Sequence, residues 1–414
     1  MRKKQQTTFK METKQILFTS ALFIAAMNIN AQNTWTSKAG FGGTARGYAV
    51  GFSIGTKGYI GTGENFSGCY KDFWEYDPGT DTWTQKADFG GAARSGSAGF
   101  SIGTKGYIGL GGNSIPTFKD FWEYDPTMNS WTKKADFPGN TRIYSVAFSV
   151  LSKGYIGTGS DAYGYCKKDL WEYDPDTDTW TQKADLTGGE RMAAVGFSIG
   201  TKGYIGTGAD GVSAYKKDLW EYDPGTDTWT QKANFLGGGR LYAVGFSIGA
   251  KGYIGTGNDG IFDFYKDFWE YDPGTDTWTQ KPDFGGGERV VAVGFSIGTK
   301  GYIGTGVNDS SSVIIAYKDF WEYDPGTTGV NMLHEKHLAV SLFPNPVRDY
   351  LYISSSNTNA LSVEVYDLAG HLLIKEYDLK ETVTKVDFLA LASGIYITKI
   401  SDGDSFTIQK VIKQ

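Results

Sequence analysis

The stretch WEYDPGTDTW, Trp74 to Trp83, decides the fold, because the chain writes it, or something close to it, six times. WEYDP starts at Trp74, Trp122, Trp171, Trp220, Trp269 and Trp321. Three other marks keep step with it. A TWT-type tryptophan falls at Trp35, Trp83, Trp131, Trp180, Trp229 and Trp278, with successive differences of 48, 48, 49, 49 and 49. GYIG recurs with its tyrosine at Tyr59, Tyr107, Tyr155, Tyr204, Tyr253 and Tyr302. An arginine recurs at Arg46, Arg94, Arg142, Arg191, Arg240 and Arg289. Self-similarity at a fixed period of this length marks an array of supersecondary units. Six copies of each mark mean six units.

Within a unit the pattern is four short runs separated by turn residues. In the fifth these are Leu241 to Ile248, Tyr253 to Gly257, Asp267 to Tyr271 and Thr277 to Lys281. Runs this short, rich in β-branched and aromatic residues and bounded by Gly, Pro and Asp, read as strands, so the fold class is all-β. The first two runs carry Gly, Ala, Val and Ser, and the last two carry Phe, Trp and Tyr. That taper suits sheets set radially about an axis, crowded inside and splayed outside, as in a β-propeller. In WEYDPGTDTW the Pro is expected to fix φ, the Gly to permit the bend, and the rings to wedge neighbouring blades apart. The repeats begin with an outermost run at Trp35 and end after a third run, Trp321 to Asp324. The first strand is therefore predicted to complete the last blade and close a six-bladed ring.

YIGTG, a variable loop, DFWEYDPGTDTW and a downstream Arg, in that order, resemble the kelch repeat, whose period of ~50 also fits. The resemblance covers residues 33–327 and departs at the hallmark double glycine, present only as Gly111-Gly112. It implies a kelch-type propeller at 32–327. After a linker at 328–337 come SLFPNPVRDYLYI (Ser341 to Ile353), VEVYDLAGHLL (Val363 to Leu373), LASGIYITKI (Leu391 to Ile400) and the terminal KVIKQ. Alternating apolar residues between turns predict a small antiparallel β-sandwich at 338–414. These phrases resemble the C-terminal sorting domain of type IX secretion in Gram-negative bacteria. The resemblance implies delivery through the outer membrane by that machinery, removal of the domain, and release or anchoring at the cell surface.

The amino end reads as an export signal over 1–31, with Met11 as the expected true start, an apolar core from Ile16 to Met27 and a small residue, Ala31, at the cut. No later stretch is long and apolar enough to span a membrane. The net charge of −6, without a basic block after the first residues, argues against a nucleic-acid partner.

All three histidines, His334, His337 and His371, lie outside the repeats. That excludes from the ring a histidine-ligated metal and a Ser-His-Asp triad, including the copper chemistry of galactose oxidase, a kelch relative. No cofactor is expected. A calcium ion at Asn258 to Gly260 lacks the alternating ligands of a dedicated loop.

Strand parity puts the near-identical SIGTKG and YDPGTD turns on one face and the variable loops, with the arginines, on the other. Binding is expected on the variable face. The six arginines are expected around the channel mouth, mainly as structural glue, with Asn65, Asn113, Asp161, Asp210, Asp259 and Asn308 as acceptors. Residues that break the repeat are the better ligand-site candidates: Phe66, Tyr163, Tyr165, Phe262 and Phe264, beside Asp161, Asp210 and Asp259, plus the insertion around Val313. Tyr70, Phe118, Tyr265 and Tyr317 share one repeat position and read as packing.

Glu190 and Glu288, each preceding an arginine in GGER, are the only acid/base candidates and read better as solvated loop carboxylates. Cys69 and Cys166 share a repeat position two units apart. Such points should be about 15 Å or more apart, beyond the ~7 Å a disulfide spans, so free thiols are predicted. Two functions fit this pattern: a non-catalytic binding module for a glycan or protein, or a sugar-active enzyme. The kelch resemblance makes a sialic-acid-type mutarotase or epimerase the natural enzyme alternative, with a carboxylate facing an arginine.

Overall fold

In the fifth unit the sequence pattern yields four strands, Val244–Ile248, Lys251–Gly255, Phe268–Asp272 and Thr277–Lys281, paired antiparallel in that order. Val244, Phe246 and Ile248 are buried while the residues between them are less so, the period of two that a pleated strand imposes. The innermost strand starts three residues later than expected. Tyr242 has φ of +57°, which no strand accommodates, so the chain turns before Val244. The second strand ends at Gly255 because Thr256 and Gly257 take φ of +60° and +89°.

The computed structural model describes residues 33–326 and 340–414, apart from 114–115, 213–214, 261–262, 309–313, 356–360, 368–371, 380–382 and 402–405. The expected signal at 1–31, the expected linker and all three histidines lie outside the described residues. Among these there is no helix. The chain divides into two compact units, Met1–Gly326 and Thr327–Gln414.

In the first unit, six four-stranded antiparallel sheets repeat the same order. Thr34–Lys38 pairs with Phe320–Asp324, Thr34 opposite Asp324 and Lys38 opposite Phe320, as the outer strand of the sheet that begins at Val293. The innermost strands Val50–Ile54, Ala98–Ile102, Val146–Val150, Val195–Ile199, Val244–Ile248 and Val293–Ile297 neighbour one another in a closed cycle.

Glycine explains how closely the sheets meet. A Cβ on Gly252 would lie 2.5 Å from Cε2 of Phe197, a residue of the preceding sheet. The same seat recurs for Phe52 at Gly106, Phe100 at Gly154, Phe148 at Gly203, Phe246 at Gly301 and Phe295 at Gly58, which completes the cycle.

WEYDPGTDTW spans the two outer strands. Trp83 reaches the preceding sheet, edge-on to Phe320 at 5.0 Å, and its indole donates to the Ala39 carbonyl at 3.0 Å. The turn is held by carboxylates rather than by Gly79. Asp77 Oδ1 accepts the Gly79 amide at 2.9 Å, and Asp81 Oδ1 accepts the Tyr76 hydroxyl at 2.7 Å and the Ala39 amide at 2.9 Å. The left-handed residue is Asp81, at φ of +53°, and Thr127 and Asp176 stand at the glycine position in the next two sheets. An aspartate tolerates this conformation because its short polar side chain bonds locally.

The second unit contains a three-stranded sheet built on Tyr350–Ser355 and a four-stranded sheet built on Leu361–Tyr366 and Gly394–Ser401. One core, including Leu351, Ile353, Val363, Val365, Val386, Phe388 and Ile400, serves both.

Candidate functional site

Each arginine lies just ahead of an innermost strand, and each is 0–1% exposed. Arg240 is representative. Its Nη1 donates to the Thr256 carbonyl at 2.9 Å and to Asp267 Oδ1 at 2.5 Å, and its Nη2 donates to Asp267 Oδ2 at 2.9 Å. The guanidinium lies between the rings of Phe235 and Tyr265, 4.7 and 4.2 Å from their centroids. Asp267 also accepts the Trp269 indole N–H at 2.7 Å. The same fork joins Arg46 to Asp72, Arg94 to Asp120, Arg142 to Asp169, Arg191 to Asp218 and Arg289 to Asp319.

The acceptors expected from the sequence are therefore not the arginines' partners. The side chains point back into their own sheet, toward the aspartate just before the third strand, instead of across the loops. Asn65 and Asn308 instead donate to the carbonyls of Ala45 and Glu288, the residues just before two of the arginines. Burial works against ionisation at Asp120, Asp169 and Asp218, yet the hydrogen bonds from their arginines leave these carboxyls below the usual range. Tyr70, Phe118, Tyr265 and Tyr317 cover the guanidinium faces.

Two residues past each arginine the backbone makes a second ring. Tyr48, Gly96, Tyr144, Ala193, Tyr242 and Val291 all have positive φ, between +51° and +61°. Their amides and carbonyls bond head to tail, Gly96 to Tyr48, Tyr144 to Gly96, and so on round to Tyr48 on Val291, at 3.0–3.1 Å. Tyr48, Tyr144 and Tyr242 meet with centroids 5.3–5.6 Å apart. All three phenols are held above the ordinary tyrosine range, first by burial. The trio also lines a cavity of about 180 Å³, together with Ala49, Ser97, Ser145, Ala194, Ala243 and Ala292.

Beside the trio, a cleft of about 330 Å³ opens between the loops of the fifth, sixth and first sheets. Its walls are the rings of Tyr48, Tyr242, Phe66 and Phe264, the aliphatic side chains of Val290, Val307 and Ile314, and the polar groups of Glu64, Asn65 and Asn258. Glu64 pairs in register with Cys69, whose thiol is pushed up to about 11 by burial and then by the Glu64 carboxylate. Asn258 Oδ1 is buried without a hydrogen-bond partner.

Of the residues singled out from the sequence, Phe66 and Phe264 line this cleft. Tyr163 and Tyr165 do not; they are 86% and 69% exposed on a loop pinned by Asp161, which accepts their amides and pairs with Lys167 at 2.7 Å. Phe262 and Val313 lie outside the described residues. Asp210 and Asp259 accept the backbone amides of Val212 and Asp263. Glu190 and Glu288 are exposed and line no part of the cleft. Cys69 and Cys166 are both free. Among the described residues, no group of three or more His, Cys, Asp or Glu is placed to hold a metal ion, and no helix is long and apolar enough to cross a membrane.

Sequence reasoning passed over Tyr48, Tyr144, Tyr242 and Glu64. The signal for the trio was present: two residues past the invariant arginine, tyrosine alternates with Gly, Ala and Val.

These features define an all-β, propeller-like protein with a sorting tail. Residues 341–414 match the family model of the secretion system C-terminal sorting domain. Among solved structures the chain is similar to that of YjhT, at 16% identity and a TM-score of 0.58, over 67% of this chain and 94% of that one. The likeness is one of fold, and it is to a kelch-type propeller. No curated protein matches the chain. The sorting domain implies export, to the cell surface or the medium.

Proposed function

We propose that residues 32–327 form a six-bladed kelch-type propeller, closed by its first strand, that binds a glycan or protein without catalysing a reaction. A signal at 1–31 directs inner-membrane export. The β-sandwich at 338–414 engages the type IX machinery and is removed at the outer surface of a Gram-negative cell. The observation that carries the binding reading is the cleft wall: four rings, one carboxylate and no arginine, because every guanidinium is enclosed with its own aspartate. A mutarotase with a carboxylate facing an arginine finds no free arginine in that wall. Concave sites of ~300–1,000 Å³ lined by rings and a few polar groups suit small ligands or single saccharide units.

The test is a glycan and surface-protein binding screen of the secreted chain, repeated with Phe66→Ala/Phe264→Ala. The double variant should bind at least about tenfold more weakly, a loss of ~1.4 kcal/mol, with an unchanged melting temperature. Undiminished binding, or turnover of a sugar by the wild type, would overturn the reading. For export, deletion of 338–414 should strand the protein in the periplasm; normal surface display without that segment would count against the assignment.

A further inference from the structure

We propose that the cleft recognises a saccharide bearing a free amino group and rejects acidic sugars. The inference rests on the binding-module reading and concerns the chemistry of the same site. Among the described residues lining the cleft, Glu64 is the only acidic or basic one. Of the cleft's side-chain amides, Asn65 already donates Nδ2 to the Ala45 carbonyl at 3.1 Å. Tyr48, Tyr242, Phe66 and Phe264 contribute aromatic rings, whose faces attract ammonium groups.

An ammonium on a sugar ring satisfies both features: it pairs with the carboxylate and lies against the rings. A sugar carboxylate satisfies neither. It meets Glu64 with no answering cation, because all six arginines are enclosed. The cleft's volume of about 330 Å³ suits one or two sugar units and is small for a protein epitope, which usually buries ~800 Å² per partner.

The experiment is calorimetric titration of the secreted chain with four probes: a glucosamine tetrasaccharide, its N-acetylated counterpart, a uronate tetrasaccharide and a lysine tetrapeptide. The buffer is held at a pH where the amine is protonated. The glucosamine oligomer should bind at least about tenfold more tightly than the N-acetylated one, and the uronate should not bind. Glu64→Gln should abolish that preference and leave the melting temperature unchanged. Equal or tighter binding of the N-acetylated or uronate oligomer overturns the inference while the module reading stands. So does a preference that survives in Glu64→Gln, or tighter binding of the lysine peptide. If the chain binds no saccharide and no protein in the wider screen, the module reading falls with it.

Discussion

Arg240 and Tyr242 are two residues apart, and they obey opposite rules. The arginine position is the same in all six sheets, and each arginine is enclosed against its own aspartate. The position two residues on is Tyr, Gly, Tyr, Ala, Tyr and Val in turn, and its tyrosines meet beside the cleft. A side chain that faces its own sheet sees the same surroundings six times, so one residue solves all six cases. A side chain that faces the axis shares one space with five equivalents. Three tyrosines already meet there, with centroids 5.3–5.6 Å apart, and they alternate with smaller residues. Sixfold identity therefore marks the frame, and broken symmetry marks the mouth.

The largest expected effect strikes the frame as a whole. Tyr59, Tyr107, Tyr155, Tyr204, Tyr253 and Tyr302 donate their hydroxyls to Glu75, Glu123, Glu172, Glu221, Glu270 and Glu322 at 2.5–2.7 Å. Burial, and after it these hydrogen bonds, hold all six phenols above their ordinary range. The unfolded chain gives up these protons at ~10, so this stability is complete below that pH and drains away as the pH climbs through it. Thermal melts followed by circular dichroism should show the melting temperature falling steeply above about pH 10. A flat profile through about pH 11 would mean that the phenols are not buried as described.

The next effect is local. Arg240→Ala leaves the partly buried Asp267 with the Trp269 indole but without its fork, and breaking an ion pair whose arginine is fully buried costs about 3 kcal/mol. Chemical denaturation should show that loss, while ligand affinity of the folded variant stays within about twofold, or ~0.4 kcal/mol. Wild-type stability together with abolished binding would place the arginines in the site and reverse the comparison.

Tyr144→Ala should cost less, about 1 kcal/mol, because the ring is only half-buried and Ala193 already occupies the equivalent left-handed position. The backbone ring survives, since the amide and carbonyl remain. Tyr144 does not line the cleft, so binding should persist; Tyr242→Ala, which removes a cleft wall, should weaken it. Equal effects of the two variants on binding would show that the trio acts as one unit.

Much of this frame was legible in the sequence. The order of the four strands in each sheet and the pairing of the first strand with the last sheet follow from the repeat, because every sheet had to satisfy the same pattern. The arginines' acceptors were not legible: Asn65 and Asp72 are both within reach of Arg46 by sequence position, and periodicity says only that each unit does the same thing. Which way the guanidinium points depends on the turn before Val50. The cleft was half legible. Phe66 and Phe264 stood out as exceptions to the repeat, but so did Tyr163 and Tyr165, and only the loop fold separates them. Glu64 escaped notice because it became a site residue only when Tyr48 and the loops of two other sheets closed around it.

The smallest expected effect falls in the turn of the repeated WEYDPGTDTW motif. Gly225 stands where Gly79 stands in WEYDPGTDTW, and its recurrence made it look indispensable to the bend. Its amide donates to Asp223 Oδ1 at 2.9 Å, a bond that any residue other than proline keeps. Its φ is not positive, and a Cβ there would meet nothing nearer than Asp223 Oδ1 at 3.3 Å. Thr127 already fills the position in the second sheet and Asp176 in the third. The strained residue is Asp227, at φ of +54°, held by the Tyr222 hydroxyl at 2.7 Å and the Ala184 amide at 2.9 Å. Gly225→Thr should therefore change unfolding free energy by less than about 0.5 kcal/mol, and in the stabilising direction if the unfolded chain's lost freedom dominates. A denaturation midpoint lowered by more than that would mean that the turn needs glycine after all, and that repetition alone was the better guide.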